Sequence, residues 1–232
     1  MRDRPLGPIR WERHATPRGG ERRIARLDPR DEARYRRLVA PLVPTIEASL
    51  GSRAFANRVV DGRIGPWARD RRAWRREARC AIAGCDDVVV VVSDVRDCYG
   101  AMGERAIGVL PMGTELDVFL HALADTGVRG LPVGPAPSAV LANGILAIPD
   151  GEASAAGCRP IRWVDDVVFV AAGRRSAQRA FDAWRRALDP LGLEAHDGKT
   201  RWAHGRIGAA ALVDGRAASD PGGASRGIIA AP

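Results

Sequence analysis

Adjacent aspartates occur twice in the sequence, each time beside an apolar run. Asp165 and Asp166 lie inside "IRWVDDVVFVAAG", and Asp86 and Asp87 precede five consecutive valines, which are followed two residues later by Asp94. Carboxylate oxygens on rigid strands are the ligands that Mg²⁺ prefers, and phosphoryl transfer often uses two such ions about 3.5–4 Å apart. The sequence therefore predicts a magnesium site for phosphoryl transfer, formed by Asp94 and one of the two pairs.

The elements around these residues favour the second pair. Val88–Val92 is a continuous β-branched run, which is typical of a strand buried on both faces, and Asp94 follows its end. Arg162–Asp165 and Val167–Ala171 predict two strands of a tight hairpin with the second Asp-Asp pair at its tip. A central sheet could set this tip beside Asp94. A simple hairpin turn without chemistry is the alternative for that pair.

The first pair is predicted to do no chemistry. Asp86 and Asp87 stand before the valine strand, where adjacent aspartates are typical of a solvated turn. They are therefore expected at the opposite end of the sheet from the metal.

Composition limits the classes of protein. The 232 residues, 46% of them hydrophobic, are enough for a real core, and 36 Lys and Arg against 28 Asp and Glu favour a polyanionic partner. A soluble domain that is merely rich in arginine is the alternative. The four cysteines match no paired zinc spacing, and no apolar run is long enough to cross a membrane. We expect a reduced, cytoplasmic protein.

Helices are predicted between these strands. Proline and glycine positions and apolar spacing indicate helices over Pro29–Leu50 (kinked at Pro41 and Pro44), Pro66–Gly84, Glu115–Ala124, Ser138–Ala147 and Ser176–Leu188. The chain up to residue 21 is predicted to be a basic, flexible arm. The Gly- and Ala-rich chain from Gly205 is predicted to be loose.

Four segments together resemble a known enzyme family. In order and spacing, "SDVRDCYG" (93–100), "GLPVGPAPSAVLAN" (130–143), "RWVDDVVFVA" (162–171) and "LGLEAHDGKT" (191–200) are similar to motifs A to D of reverse transcriptases. The bacterial retron and group II intron type is the most similar, and phage-defence enzymes are a weaker analogy. Residues 22–60 resemble the fingers motifs of the same enzymes.

The resemblance implies an α+β fold with a palm and fingers, in which helices back a small antiparallel sheet. It divides the chain into an arm (1–21), a fingers-like helical region (22–86), a palm with motifs A to D (87–202) and a tail (203–232). Because the tail is short and Gly/Ala-rich, we expect the thumb to be lacking or vestigial.

The resemblance also implies the role of each site residue. Asp94, Asp165 and Asp166 would hold Mg²⁺, with Mn²⁺ as a substitute, and Lys199 would be the general acid for the pyrophosphate leaving group. Tyr99 would form an aromatic wall that excludes a 2′-hydroxyl. Other nucleotide-binding positions would be Pro132, Gly134 and Arg58, and nucleic-acid-binding positions would be Arg72, Arg75, Arg76 and Trp163.

Motif B departs from the family pattern, and the fingers region contributes three arginines. Motif B has Val133 where the family commonly has a glutamine, so a hydrogen-bond donor near the nucleotide sugar is missing. Arg22 and Arg23, with Arg58, occupy the places of fingers residues that approach the template or the triphosphate.

The expected function is that of an RNA-directed DNA polymerase. Its partners would be an RNA template, a DNA or RNA primer, deoxynucleoside triphosphates and a partner protein that supplies a thumb. A template-independent or protein-primed DNA polymerase of phage defence shares the same carboxylates and is one alternative. A non-catalytic nucleic-acid-binding module is the other.

Overall fold

A five-stranded antiparallel sheet forms the centre of the computed structural model, which describes residues 5–15, 20–215 and 228–229. Its strand order is β6-β7-β5-β8-β9, and two small hairpins, β1-β2 and β3-β4, lie outside it. The strands are β1 (Arg10–Ala15), β2 (Glu21–Arg26), β3 (Val59–Val60), β4 (Arg63–Ile64), β5 (Val88–Ser93), β6 (Ile161–Trp163), β7 (Asp166–Ala172), β8 (Arg201–His204) and β9 (Ile228–Ile229).

Helices surround the sheet. They are α1 (Pro29–Val39), α2 (Val43–Ser49), α3 (Trp67–Ala83), α4 (Cys98–Ala101), α5 (Glu104–Ile107), α6 (Thr114–Asp125), α7 (Ala136–Ala155), α8 (Arg174–Leu188) and α9 (Arg206–Val213). The predicted mixture of helices with small antiparallel sheets is confirmed.

The valine run is the middle strand because it can be buried on both sides. Val89 and Val91 belong to the larger apolar core, which includes residues of α1, α2, α6, α7 and α8. Val88 and Val90 belong to a second core with residues of α3 and α9. Successive side chains of a strand point to opposite faces, so only an uninterrupted apolar run satisfies both cores.

Proline shapes the first helical region as predicted. The chain leaves α1 at Val39, passes through a 3₁₀ turn over Ala40–Leu42 and continues as α2. Pro41 and Pro44 each lack a backbone N–H, and each falls in the first turn of its new segment, where that hydrogen bond is not needed.

Helix α7 is longer than the segment predicted for it. It continues past Ala147 to Ala155 with Pro149 inside it. Pro149 is buried, and α7 packs along α8. Burial of an apolar face therefore outweighs the local cost of the proline.

The arm predicted for residues 1–21 is partly wrong, because Arg10–Ala15 forms β1 and pairs with β2 along its whole length. Ion pairs cross the hairpin from Arg13 to Glu21 and from Arg26 to Glu12. The backbone N–H of Ala25 donates to the Val133 carbonyl at 2.7 Å, which attaches the hairpin to the motif B loop. Residues 1–4 and 16–19 of the predicted arm lie outside the described residues.

The loose tail predicted from Gly205 is also partly wrong. Residues 206–213 form α9, which buries Ala209 and Val213 against α3. The alanines of this stretch are strong helix formers. The predicted tail between residues 216 and 227, and after 229, lies outside the described residues. In the described part of the chain, no helix is long and apolar enough to cross a membrane.

Candidate active site

Strand pairing brings Asp94 and the hairpin tip to the same end of the sheet, where β5 ends and β6 turns into β7. Strand β5 pairs with β7 so that Ser93 lies opposite Val167, and β6 pairs with β7 so that Trp163 lies opposite Asp166. Asp94 follows β5 directly, beside the tip. The sequence prediction that a central sheet sets these elements side by side is confirmed.

The hairpin tip is a two-residue turn of unusual geometry. Val164 and Asp165 connect the strands, and Val164 has a positive φ of 55°. A β-branched residue is a clear outlier there, because this region favours glycine. Such strain costs on the order of 1–3 kcal/mol and persists only where the surroundings hold the backbone.

A buried arginine provides that hold. The side chain of Arg162 is only 2% exposed, and its guanidinium donates to Asp150 Oδ2 at 2.6 Å and to Asn143 Oδ1 at 2.8 Å, both on α7. It also donates to the carbonyl of Val164 at 3.0 Å. Arg162 therefore ties the strained turn to the longest helix.

The same network reaches the segment before β3. Asn143 donates to the Ala56 carbonyl at 2.9 Å, and the backbone of Arg162 exchanges hydrogen bonds with Arg53 and Phe55. Three separate parts of the chain thus meet at Arg162: the β6-β7 hairpin, α7 and the segment before β3. The sequence offered one signal of this role, a charged residue inside an otherwise apolar strand, and the prediction missed it.

Asp94 is buried and only partly satisfied. Its Oδ2 accepts a hydrogen bond from Lys199, whereas its Oδ1 is buried and has no hydrogen-bond partner among the described residues. The backbone N–H of His196 donates to the Asp94 carbonyl at 2.7 Å. A further bond of 2.8 Å between Ser93 Oγ and Thr200 Oγ1 fixes the segment that carries Lys199 against β5.

Asp165 faces Asp94 closely enough for their charges to interact. Burial, then the negative charge of Asp94 and then that of Asp166, raise the pKa of Asp165 from its ordinary 3.8 to about 7. Two carboxylates that share a buried site resist simultaneous ionisation. The pair therefore has an excess of negative potential that a proton or a metal cation would relieve.

Asp166 is placed differently from the other two predicted ligands. Its Oδ2 lies 4.0 Å from Arg71 Nη1 on α3, and it begins β7. In the ranges that the structure describes, no group of three or more His, Cys, Asp or Glu side chains is arranged around one ion position. The structure thus brings together two of the three carboxylates for which the sequence predicted a metal.

These carboxylates form part of the wall of a cavity of about 490 Å³. Tyr99, Pro132 and Lys199, all predicted site residues, also line it. The other charged residues of the wall are Glu21, Arg22, Arg23, Asp97 and Arg129. The cavity therefore has acidic groups beside the hairpin tip and basic groups contributed by β2 and by the loop before motif B.

Glycine allows the motif B loop to pack closely at two points. A Cβ on Gly130 (φ 57°) would lie 2.3 Å from the Tyr99 carbonyl oxygen, and one on Gly134 (φ 124°) would lie 2.6 Å from the side chain of Ile24. Gly134 therefore accommodates β2 and is not among the residues that line the cavity, and its predicted contact with a nucleotide stays a prediction. Close packing against β2 is the reason for this glycine that sequence reasoning missed.

Arg58 is also outside the cavity. Its Nε donates to Glu47 Oε2 at 2.7 Å, and its Nη1 donates to the carbonyls of Gly51 and Ala54. These bonds hold the loop after α2. The structure therefore gives Arg58 a role in the fold, and its predicted role in nucleotide binding stays a prediction.

The basic face of α3 is exposed, and its predicted contact with nucleic acid stays a prediction. Arg72, Arg75 and Arg76 are exposed, and none of them has a carboxylate within ion-pair distance in the described ranges. Trp163, by contrast, is only 3% exposed and packs against Trp67 and Trp74. A buried indole cannot touch a bound nucleic acid, so the predicted contact at Trp163 is corrected.

Several residues of the site were missed by sequence reasoning. Trp11 and Arg129 line the cavity, but Trp11 lies in a hydrophilic strand and Arg129 in a loop, where nothing in their spacing marks them. The contribution of Trp11 depends on the docking of the β1-β2 hairpin.

In comparison with known proteins, no family model matches the chain, and no curated protein matches it.

Proposed function

We propose that the chain is a metal-dependent nucleotidyltransferase, and that it acts as an RNA-directed DNA polymerase adding deoxynucleotides to a primer 3′-hydroxyl. One observation carries the proposal. Asp94 and Asp165, from two separate strand ends, meet in the wall of a cavity whose other sides carry Arg22, Arg23 and Arg129. Carboxylates facing arginines suit a metal-bound triphosphate, because the metal meets the carboxylates and the phosphates meet the arginines.

The residues present fit a divalent cation. Asp94 Oδ1 is a buried oxygen without a partner in the described ranges, and the pKa of Asp165 is raised by burial and by the charge of Asp94. Mg²⁺ usually binds through one or two carboxylates together with substrate phosphates and water, so two carboxylates are sufficient. Asp94 and Asp165 would hold Mg²⁺, or Mn²⁺ as a substitute, and the ion would neutralise charge on the reacting phosphate.

The chain's own residues would orient the substrate. Arg22, Arg23 and Arg129 would pair with the triphosphate, since guanidinium groups bind phosphate oxygens in pairs. Tyr99 would stand beside the sugar and exclude a 2′-hydroxyl by its bulk. Val133 cannot donate a hydrogen bond to the sugar, so discrimination at that point would depend on shape alone.

Lys199 would hold the proton for the leaving pyrophosphate. Its ammonium group lines the cavity and already bonds to Asp94, so it lies within the site and is partly exposed to the substrate space. A positioned ammonium group can both stabilise the departing charge and transfer a proton to it.

The RNA template and the primer would bind outside the cavity. Arg72, Arg75 and Arg76 form a patch of positive charge without ion-pair partners in the described ranges, which suits the phosphates of an RNA template and its primer.

The test is incorporation of radiolabelled deoxynucleotide by the full chain with Mg²⁺ or Mn²⁺, with and without an RNA template. Template-dependent extension by the parent protein, lost in Asp165→Ala with RNA binding retained, is the expected result. Extension that ignores the template would instead support a template-independent or protein-primed polymerase. RNA binding without any nucleotide incorporation would contradict the proposed enzymatic activity and support a non-catalytic nucleic-acid-binding module. The Lys199–Asp94 ion pair is the observation that favours this module.

A further inference from the structure

Among the described residues outside the cavity, the most exposed aromatic side chain is that of Trp67, at the start of α3. Its side chain is 61% exposed, yet its ring packs against neighbouring side chains. It meets the buried ring of Trp163 edge-on, with centroids 5.1 Å apart and an interplanar angle of 78°. The guanidinium of Arg71 lies 5.8 Å from its centroid. Trp67 is therefore a fixed, accessible apolar plane.

The exposed side of α3 also carries positive charge. Arg72, Arg75 and Arg76 project from the exposed side of the same helix at a spacing of three and four residues, so they lie along one face. In the described ranges they have no carboxylate partner. A ligand that suits both features has a flat apolar part and a row of negative charges, which is the chemistry of a nucleobase on a phosphate backbone.

Trp67 is also connected to the end of the sheet that carries Asp94 and Asp165. Trp163, against which Trp67 packs, pairs with Asp166 at the hairpin tip. The guanidinium of Arg71 lies near the indoles of Trp67, Trp74 and Trp163 on one side and near Asp166 on the other. A base held on Trp67 would therefore lie beside the turn that carries Asp165.

We propose that Trp67 is a stacking platform for an unpaired base of a single-stranded nucleic acid, with the backbone phosphates lying along Arg72, Arg75 and Arg76. The inference rests on the proposed function for its choice of partner, but binding at Trp67 requires neither metal nor nucleotide. An unpaired base is required because the faces of paired bases are covered by their neighbours in the duplex.

The experiment compares two fluorescent oligonucleotides of about 12 nucleotides, a length within the range that single-strand sites cover. One is oligodeoxythymidylate, and the other is an abasic strand of the same length and charge. Binding to the parent protein, Trp67→Ala and Trp67→Phe is measured by fluorescence anisotropy in the absence of metal.

Trp67→Ala is expected to weaken binding of the base-bearing strand by about fivefold or more, since stacking of one base is worth at least that factor. The abasic strand should bind all three proteins equally. Trp67→Phe should retain most of the affinity, because it keeps an aromatic face. Val118→Ala, which removes an exposed apolar side chain (42%) on α6, serves as the control and should change neither strand.

Equal weakening on both strands, or no effect of Trp67→Ala, would overturn the proposal, as would failure of the parent protein to bind either strand. A single-stranded RNA arm should repeat the DNA result, and a blunt duplex should be insensitive to Trp67→Ala. Loss of duplex binding by the same factor would overturn the requirement for an unpaired base. If the parent incorporates no nucleotide and yet Trp67 distinguishes the two strands, the proposed function fails and the platform stands.

Discussion

Lys199 donates a hydrogen bond to one carboxylate oxygen of Asp94, and the other oxygen of the same group is buried without a partner in the described part of the chain. One side of Asp94 is thus neutralised by a residue of the chain, and the other side is left for a ligand. This relationship is the basis of the first prediction.

Lys199→Gln should bind Mn²⁺ about threefold to tenfold more tightly, because it removes a competing positive charge next to the site. It should also slow incorporation, since the proposed proton donor is lost. Lys199→Arg keeps the charge and is the matched control for metal binding. Water proton relaxation measures the affinity, and weaker Mn²⁺ binding by Lys199→Gln would contradict the account.

The pKa of Asp165 predicts how stability depends on pH. In the folded protein this pKa is raised from 3.8 to about 7 by burial and by the charge of Asp94, so the folded state holds a proton that the unfolded chain releases. Stability from this group is therefore complete at low pH and is lost as pH rises from about 4 to about 7. Urea unfolding should show this loss in the parent protein and not in Asp165→Asn. An identical pH dependence of the two proteins would show that Asp165 is not perturbed.

Tyr99 should control the choice of sugar. The backbone at this position is held independently of the side chain, because Leu131 N–H donates to the Tyr99 carbonyl at 2.9 Å. Tyr99→Val should therefore keep the fold and raise the use of ribonucleotides by about tenfold or more relative to deoxynucleotides. Tyr99→Phe retains the wall and should keep the parent preference. The ratio of kcat/KM for the two substrates measures the effect, and an unchanged ratio in Tyr99→Val would exclude Tyr99 as the gate.

Arg162 should be essential for stability. Arg162→Met would leave Asp150 buried without its partner, and breaking a buried pair in this way costs about 3–5 kcal/mol. Arg79→Met is the matched control, because Arg79 also pairs with an aspartate, Asp214, but is largely exposed and should lose less than about 1 kcal/mol. Chemical denaturation measures both. If Asp150→Leu added to Arg162→Met restores none of the lost stability, the pair is not the cause.

Much of the sheet could be predicted because its signals are local. The valine run of β5, the apolar strands around Asp165 and the prolines at 41 and 44 each determine an element through short-range preferences. The nearness of Asp94 and Asp165 then follows from strand pairing alone.

The surroundings of Trp163 and Gly134 depend on packing between distant parts of the chain. Nothing in the sequence near Trp163 shows that α3 covers it, and nothing near Gly134 shows that β2 lies against it. The β1-β2 hairpin was missed because its strands are almost entirely exposed and polar, so they lack the alternation that marks a half-buried strand. The helix α9 was missed because its small residues also occur in loops.

The two Asp-Asp pairs provide the most direct test of the central claim. Asp86 and Asp87 lie in an exposed turn at the start of β5, where they bond to Arg206 and His204. They are therefore at the end of the strand opposite Asp94, as predicted. Asp86→Asn with Asp87→Asn should cost less than about 1 kcal/mol of stability and leave metal binding intact.

The decisive measurement is Mn²⁺ binding, by relaxation, to this double variant and to Asp165→Asn with Asp166→Asn. The account predicts that Mn²⁺ binding and metal-dependent incorporation are lost after the 165/166 change, because neutral amides are poor substitutes for anionic ligands, and are retained after the 86/87 change. Binding that survives the 165/166 change and disappears with the 86/87 change would contradict the assignment of the site.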